Sequence, residues 1–224
     1  MNLHEPPNQQ SPVTPSQFEY VNKPPPDLYQ SDKKSKIKDN LSTIVILISA
    51  PLLAIILSVF VFRTYQVDGP SMLTTLHDKD RLIINKLPKT FSKIAGKDYI
   101  PDRYDIVVFE HKGQFSSRGI EEKQIIKRVI ALPGERIVIK DGTATVYNAE
   151  NPNGFKVDEL GPHAKVIKTT AGDIDETVKE GEIFLMGDNR GNSLDSRAIG
   201  TIKADDIVGK LVLRIYPFED WRGF

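Results

Sequence analysis

The stretch ERIVIKDGTATVYN, residues 135 to 148, sets two short β-branched runs on either side of an Asp141-Gly142 pair. Asp-Gly adopts the positive φ angles that a tight primed turn requires, so the pattern predicts a β-hairpin. Working outward, RLIINKL, YDIVVFE and KQIIKRVIAL precede it, and AKVIKTT, EIFLMG and GKLVLRIYP follow. Turn signals such as LPGE, KDGT and KEGE punctuate these runs. Short apolar runs with this punctuation argue for a mainly β, mostly antiparallel domain. Between Tyr147 and Glu182 the chain is polar and turn-rich, which suggests a small insertion or lid at about 147–181.

Upstream of the β region the composition changes twice. Residues 1–40 form a Pro-, Gln-, Asn- and Ser-rich tail ending in a basic cluster, Lys33, Lys34, Lys36 and Lys38. With few aliphatic side chains to bury, it reads as a disordered, solvated segment. Residues 41–62 follow, and Ile44 to Phe62 is free of charge. As a helix that run spans about 28 Å, close to a bilayer's hydrocarbon thickness, with Pro51 as a kink point. The lysines on its N-terminal side orient the tail toward the cytoplasm and residues 63–224 outside. The run is longer than the apolar stretch of an ordinary signal peptide and lacks a clear small-x-small site, so it reads as a permanent anchor in a plasma or inner membrane.

The 224 residues carry 30 basic and 30 acidic side chains and no cysteine. Zero net charge gives no reason to expect a nucleic-acid partner, and the lack of cysteine excludes disulfides, thiolate metal sites and a cysteine nucleophile. Chemistry must use oxygen or nitrogen groups. Ser71 lies in DGPSMLTTL, a turn-prone stretch that could expose a hydroxyl, although serines in such loops mostly satisfy nearby backbone groups. A serine nucleophile needs a base. His4 lies in the tail, His163 in the insertion, and His77 and His111 beside exposed-looking charges. No H-E-x-x-H spacing occurs, and no metal or other cofactor is expected. In QIIKRVIAL, Lys127 and Arg128 interrupt an apolar strand. A buried lysine loses its proton more easily, as a general base must, though the pattern leaves open which of the two cations is buried. MGDNRGNSLDSR, residues 186–197, is dense in donors, acceptors and opposite charges, and suits either a solvated loop or the support of an active site.

The serine segment, YDIVVF, IIKRVIALPGE and GDNRGNSLDSR, in that order after an apolar anchor, resemble the bacterial type I signal peptidases. These are membrane-bound Ser-Lys proteases that remove signal peptides from exported proteins. The resemblance covers roughly residues 63–224. It implies an antiparallel β catalytic domain of the signal-peptidase and LexA-like type with a small inserted subdomain, Ser71 as nucleophile and Lys127 as general base. It further implies that Ser193 hydrogen-bonds the lysine, while Asp188 with Arg128, and Asp195 with Arg197, form supporting ion pairs. By similarity Tyr65, Val67, Met72, Leu76, Ile125 and Ile126 lie near shallow pockets for small residues at the first and third positions before the cut. Two departures stand out. Thr74 occupies a position where most members have proline, and Gly69 stands where some supply a serine hydroxyl to the oxyanion, leaving the Ser71 backbone N–H as donor. The implied partners are signal-peptide-bearing preproteins and the lipid bilayer, with the secretion translocase as a neighbour. The competing readings are a self-cleaving Ser-Lys protease and an anchored β-rich binding module.

Overall fold

The structure, a computed structural model, describes residues 29–73, 75–116, 119–164, 167 and 169–224. The Pro-rich segment up to residue 28 and Thr74 lie outside them. The chain divides into two compact units, residues 1–52 and 53–224. Helix α1 (Tyr29–Ile56) carries most of the apolar run, with Pro51 inside it and Leu47, Ile48 and Leu53 among its exposed side chains.

The apolar run does not stay helical to residue 62. Leu57–Val61 wind as a π-helical turn, and Phe62 is already extended at φ −123° and ψ 148°. The cause is pairing: β1 (Phe62–Gln66) forms an antiparallel ladder with β2 (Arg81–Asn85), from Phe62 opposite Asn85 to Gln66 opposite Arg81. Ladder bonds and side-chain contacts of this kind override local helix preference. Among the described residues no helix is long and apolar enough to cross a membrane.

The expected hairpin is present. β5 (Arg136–Lys140) and β6 (Thr143–Tyr147) pair with Lys140 opposite Thr143, and both turn residues have positive φ, 48° at Asp141 and 76° at Gly142. The larger sheet runs β1-β2-β11-β3-β4-β9-β10, with β12 (Arg222–Gly223) against β11 (Ile207–Tyr216). Its middle strands are β3 (Ile106–Ser116), β4 (Gly119–Ala131) and β9 (Glu182–Met186), and β10 (Ile202–Lys203) ends it. The smaller sheet runs β7-β6-β5-β8, with β7 at Phe155–Lys156 and β8 at Ile174–Thr177. Segment 147–181 is thus less a lid than a builder of the small sheet. It supplies both outer strands, and its Val157 and Val178 are buried in the core. Lys165, Val166 and Lys168 of AKVIKTT lie outside the described residues, and the strand of this region comes later, at β8.

Period-two alternation sorts the core. On β3, Ile106 and Val108 join Met72, Leu76, Leu82 and Ile84 in one cluster, whereas Val107 and Phe109 join Val129, Ile183 and Leu185 in another. Ile137, Ile139, Ala144 and Val146 of the hairpin pack on Ile130, Phe184 and Met186. Each fully buried Leu, Ile or Phe contributes roughly 1.5 to 3 kcal/mol of apolar transfer, so these clusters hold β4 and β9 firmly between them. The functional side chains project from that framework. Helix α2 (Leu87–Ile94), which follows β2 in place of more strand, escapes the sequence reading. Its Pro88 fits the first helical turn, where no N–H is needed.

Candidate active site

Ser71 lies in the loop between β1 and β2. Leu73 N–H donates to Pro70 O at 3.1 Å, and Thr75 and Leu76 both donate to Met72 O, winding the loop into tight turns. Gly69 has φ +89°, a conformation that side chains rarely adopt, and its N–H donates to Asp78 Oδ1 at 3.0 Å. Met72 and Leu76 are fully buried in the core, so they pull the loop down on either side of its turn and leave Ser71 partly exposed. They anchor the loop and do not line the cleft.

Lys127 is only 2% exposed. Its Nζ donates to Ser71 Oγ at 2.7 Å and to Ile126 O at 2.8 Å, and it has no ion pair among the described residues. Burial pushes its ammonium down from 10.5 to about 8, with Asp195 and then Asp188 pulling the other way. Both neighbouring cations are buried, and they differ in partner, because Arg128 turns to Asp188. Its Nε and NH2 reach the two carboxylate oxygens at 2.8 and 2.6 Å, both side chains being buried. Arg128 NH1 also donates to Tyr104 O at 2.8 Å, and Thr75 Oγ1 donates to Asp188 Oδ2 at 2.5 Å. A buried charge paired and hydrogen-bonded in this way avoids the cost of a lone buried ion.

The turn after β9 clasps the serine loop. Asn189 N–H donates to Ser71 O at 3.0 Å and its Nδ2 to Pro70 O at 3.1 Å. Gly187 permits this approach, since a Cβ there would lie 2.5 Å from Ser71 O and would collide with Ser193. Gly187 N–H in turn donates to Asp195 Oδ2 at 3.0 Å. Asp195 takes Arg197 at 2.8 Å through both carboxylate oxygens. Burial alone would raise the Asp195 carboxyl, but the bonds from Arg197 and Gly187 hold it below its usual range. Arg190 ties this turn to the small sheet's loops, donating to Gly187 O at 3.0 Å, to Asp158 at 2.6 Å and to Thr170.

Four of the expected pocket residues, Tyr65, Val67, Ile125 and Ile126, line a cleft of about 510 Å³ together with Ser71 and Lys127. Leu82 and Val108 add to its apolar lining, and no sequence signal marked them. Ser193 departs from expectation: its Oγ is buried and makes no bond to the lysine, and its influence falls instead on the Asp195 carboxylate, which it helps to hold below the usual range. Gly69, which has no side-chain donor to offer an oxyanion, also has its N–H engaged by Asp78. Ser71 N–H makes no hydrogen bond among the described residues, which leaves it available as a donor. Asn189 and Thr75 were inside the quoted motifs, but nothing in their spacing marked them as the clasp and the bridge. Among the described residues no group of three or more His, Asp or Glu side chains could hold a metal ion.

Residues 40–216 match the family model described as signal peptidase, peptidase S26. The chain is 36% identical over 176 residues to signal peptidase I of Bacillus caldolyticus, covering 74% of this chain and 85% of that one. It is 32% identical over 202 residues to signal peptidase I S of Bacillus subtilis (strain 168), covering 86% of this chain and 98% of that one. Among solved structures, a signal peptidase I from Enterococcus faecalis V583 matches at 30% identity, half of this chain and 97% of that chain, with a TM-score of 0.38. With a family match over most of its length and relatives this similar along nearly their whole chains, this chain belongs to the signal peptidase family, peptidase S26.

Proposed function

We propose that Ser71 and Lys127 are the nucleophile and the general base with which this serine endopeptidase cleaves signal peptides from preproteins. The neutral Lys127 amine takes the Ser71 proton as Oγ attacks the carbonyl after a small residue. The protonated amine then gives its proton to the leaving amine. A water activated by the regenerated amine releases the acyl-enzyme. The Ser71 N–H is the donor proposed for the oxyanion. The observation that carries the reading is the 2.7 Å contact between a hydroxyl and a buried lysine amine that has no ion pair among the described residues. Ser71→Ala is expected to abolish cleavage of a preprotein with an Ala-x-Ala site while the fold, read by circular dichroism, survives. Lys127→Arg keeps positive charge but has no accessible neutral form, so full activity in that variant would sink the proposal.

The cleft supports an extended substrate whose small side chains at the first and third positions before the cut meet Val67, Ile125 and Ile126. Membrane attachment belongs to the same proposal. The uncharged run Ile44–Phe62, the lysines before it and the exposed apolar side chains of α1 support an anchor with its tail in the cytoplasm and the β domain outside. Extraction of cell membranes at alkaline pH, with protease accessibility from each side, tests it. Release of the intact chain into the supernatant would refute the anchor.

A further inference from the structure

Away from the serine loop, a second cavity of about 490 Å³ is lined by Arg63, Lys86, Lys89, Lys93, Ile94 and Glu110, among others. Arg63, Lys89 and Lys93 form no ion pair among the described residues; Arg63 lies over the Tyr65 ring, and Lys89 Nζ donates to Asp205 O at 2.7 Å. Burial holds the Lys89 ammonium below its ordinary range, with Asp205 and Glu110 opposing. Arg63, Lys89 and Lys93 converge here on one lining carboxylate, with Asp205 and Asp206 near Lys89, and a concave site with an excess of positive charge collects anions.

What kind of anion fits is indicated by the surroundings. Arg63 is shared with an adjoining apolar cleft of about 610 Å³ that includes Phe62, Ile83, Val212 and Leu213. On α2, Phe91 is 63% and Ile94 78% exposed, alternating with the lysines. A soluble anion needs no greasy neighbour, whereas a lipid presents phosphate and hydrocarbon side by side. Arg63 also follows directly on the last residue of the uncharged run. Basic side chains next to exposed apolar ones on a short helix are the pattern of a membrane-interface site.

We propose that this cavity binds the phosphate of an anionic phospholipid headgroup, with Arg63, Lys89 and Lys93 on the phosphate and Glu110 accepting from a headgroup hydroxyl. The inference rests on the anchored reading above, but not on the assignment of the catalytic pair.

The test is native mass spectrometry of the detergent-solubilised full chain titrated with phosphatidylglycerol or, separately, phosphatidylcholine. Phosphatidylglycerol should be retained far better than phosphatidylcholine. The double variant Lys89→Gln, Lys93→Gln should lower that retention roughly thirtyfold, at about fivefold per cation near a membrane surface. Lys140→Gln with Lys203→Gln, exposed lysines outside the cavity, should leave it unchanged. Unaltered cleavage of a soluble peptide by the double variant shows that the fold is intact, and retention by Ser71→Ala separates this site from the protease proposal. Equal retention of the two lipids, or undiminished retention by the double variant, overturns the inference. Displacement by inorganic phosphate overturns the lipid as its source.

Discussion

Replacing Lys127 by Met, and following both activity and stability with pH, tests the physical basis of the proposed base. The fall from 10.5 to about 8 corresponds to roughly 3 kcal/mol, at about 1.4 kcal/mol for each pKa unit. At pH 7 such an amine is neutral in about one molecule in ten, against about one in three thousand for an ordinary lysine, a gain of roughly 300-fold in competent enzyme. In the native protein kcat/KM for an Ala-x-Ala peptide should therefore climb about tenfold per pH unit below about 8 and then level off. Stability carries the same signature with a defined sign. Between about 8 and 10.5 the unfolded chain holds a proton that the folded one has lost, so native stability rises with pH across that window. Below it the desolvation cost is fully present. Lys127→Met removes the cost, so the variant should gain up to about 3 kcal/mol near neutral pH, a gain that shrinks as pH rises toward 10.5. Denaturant titration of the detergent-solubilised chain at several pH values, beside the peptide assay, reads both. A flat rate profile through pH 8, or a Met variant whose stability difference ignores pH, would refute the reasoning.

Three further substitutions probe the surroundings. Asp188→Asn strands the buried Arg128 guanidinium without its charge partner, and thermal unfolding should show a loss of about 3 to 5 kcal/mol. Gly187→Ala sets a Cβ 2.5 Å from the Ser71 backbone oxygen, so the turn after β9 must give way by about 1 Å, and kcat should fall by roughly a hundredfold and stability by about 1 to 3 kcal/mol. Ser193→Ala deletes a buried hydroxyl that helps hold the Asp195 carboxyl down, so thermal unfolding should show a loss of about 1 kcal/mol. An unchanged or higher melting temperature would mean that the hydroxyl gives Asp195 no bond.

The β5–β6 hairpin was legible because local chemistry decides it: Asp-Gly satisfies the turn whatever packs around it. The strands YDIVVFE and EIFLMG were legible from apolar content, since core burial and sequence agree there. The end of α1 was not. An apolar run reads the same as helix or strand, and what turns Phe62–Gln66 into β1 is pairing with residues 81–85, information carried by another part of the chain. At the site, the residues alone made types legible and partners not, and the pairs Asp188–Arg128 and Asp195–Arg197 were expected only from the family resemblance. Asp188 and Asp195 are alike in sequence, yet one meets Arg128 sixty positions away and the other Arg197 two positions on. The contribution of Asn189 depends on the Gly187 approach, which only the fold creates.

The two ion pairs do more than hold a loop, and Arg197→Gln tests this. Both carboxylates nearest Lys127 in effect, Asp195 first and Asp188 second, favour its protonated form and so oppose its use as a base. Each is bound through both oxygens to its own guanidinium. A paired carboxylate presents a much weaker field than a bare one, so the arginines keep the lysine's proton loosely held. Arg197 is the better of the two to remove, because its side chain is nearer solvent and Asp195 keeps the bond from Gly187 N–H. With that cation gone, the exposed charge of Asp195 should raise Lys127, and the rate profile should move to higher pH while the plateau rate largely recovers at alkaline pH. If Arg197 only props the loop, activity falls equally at every pH and the midpoint stays near 8, which would end the electrostatic account.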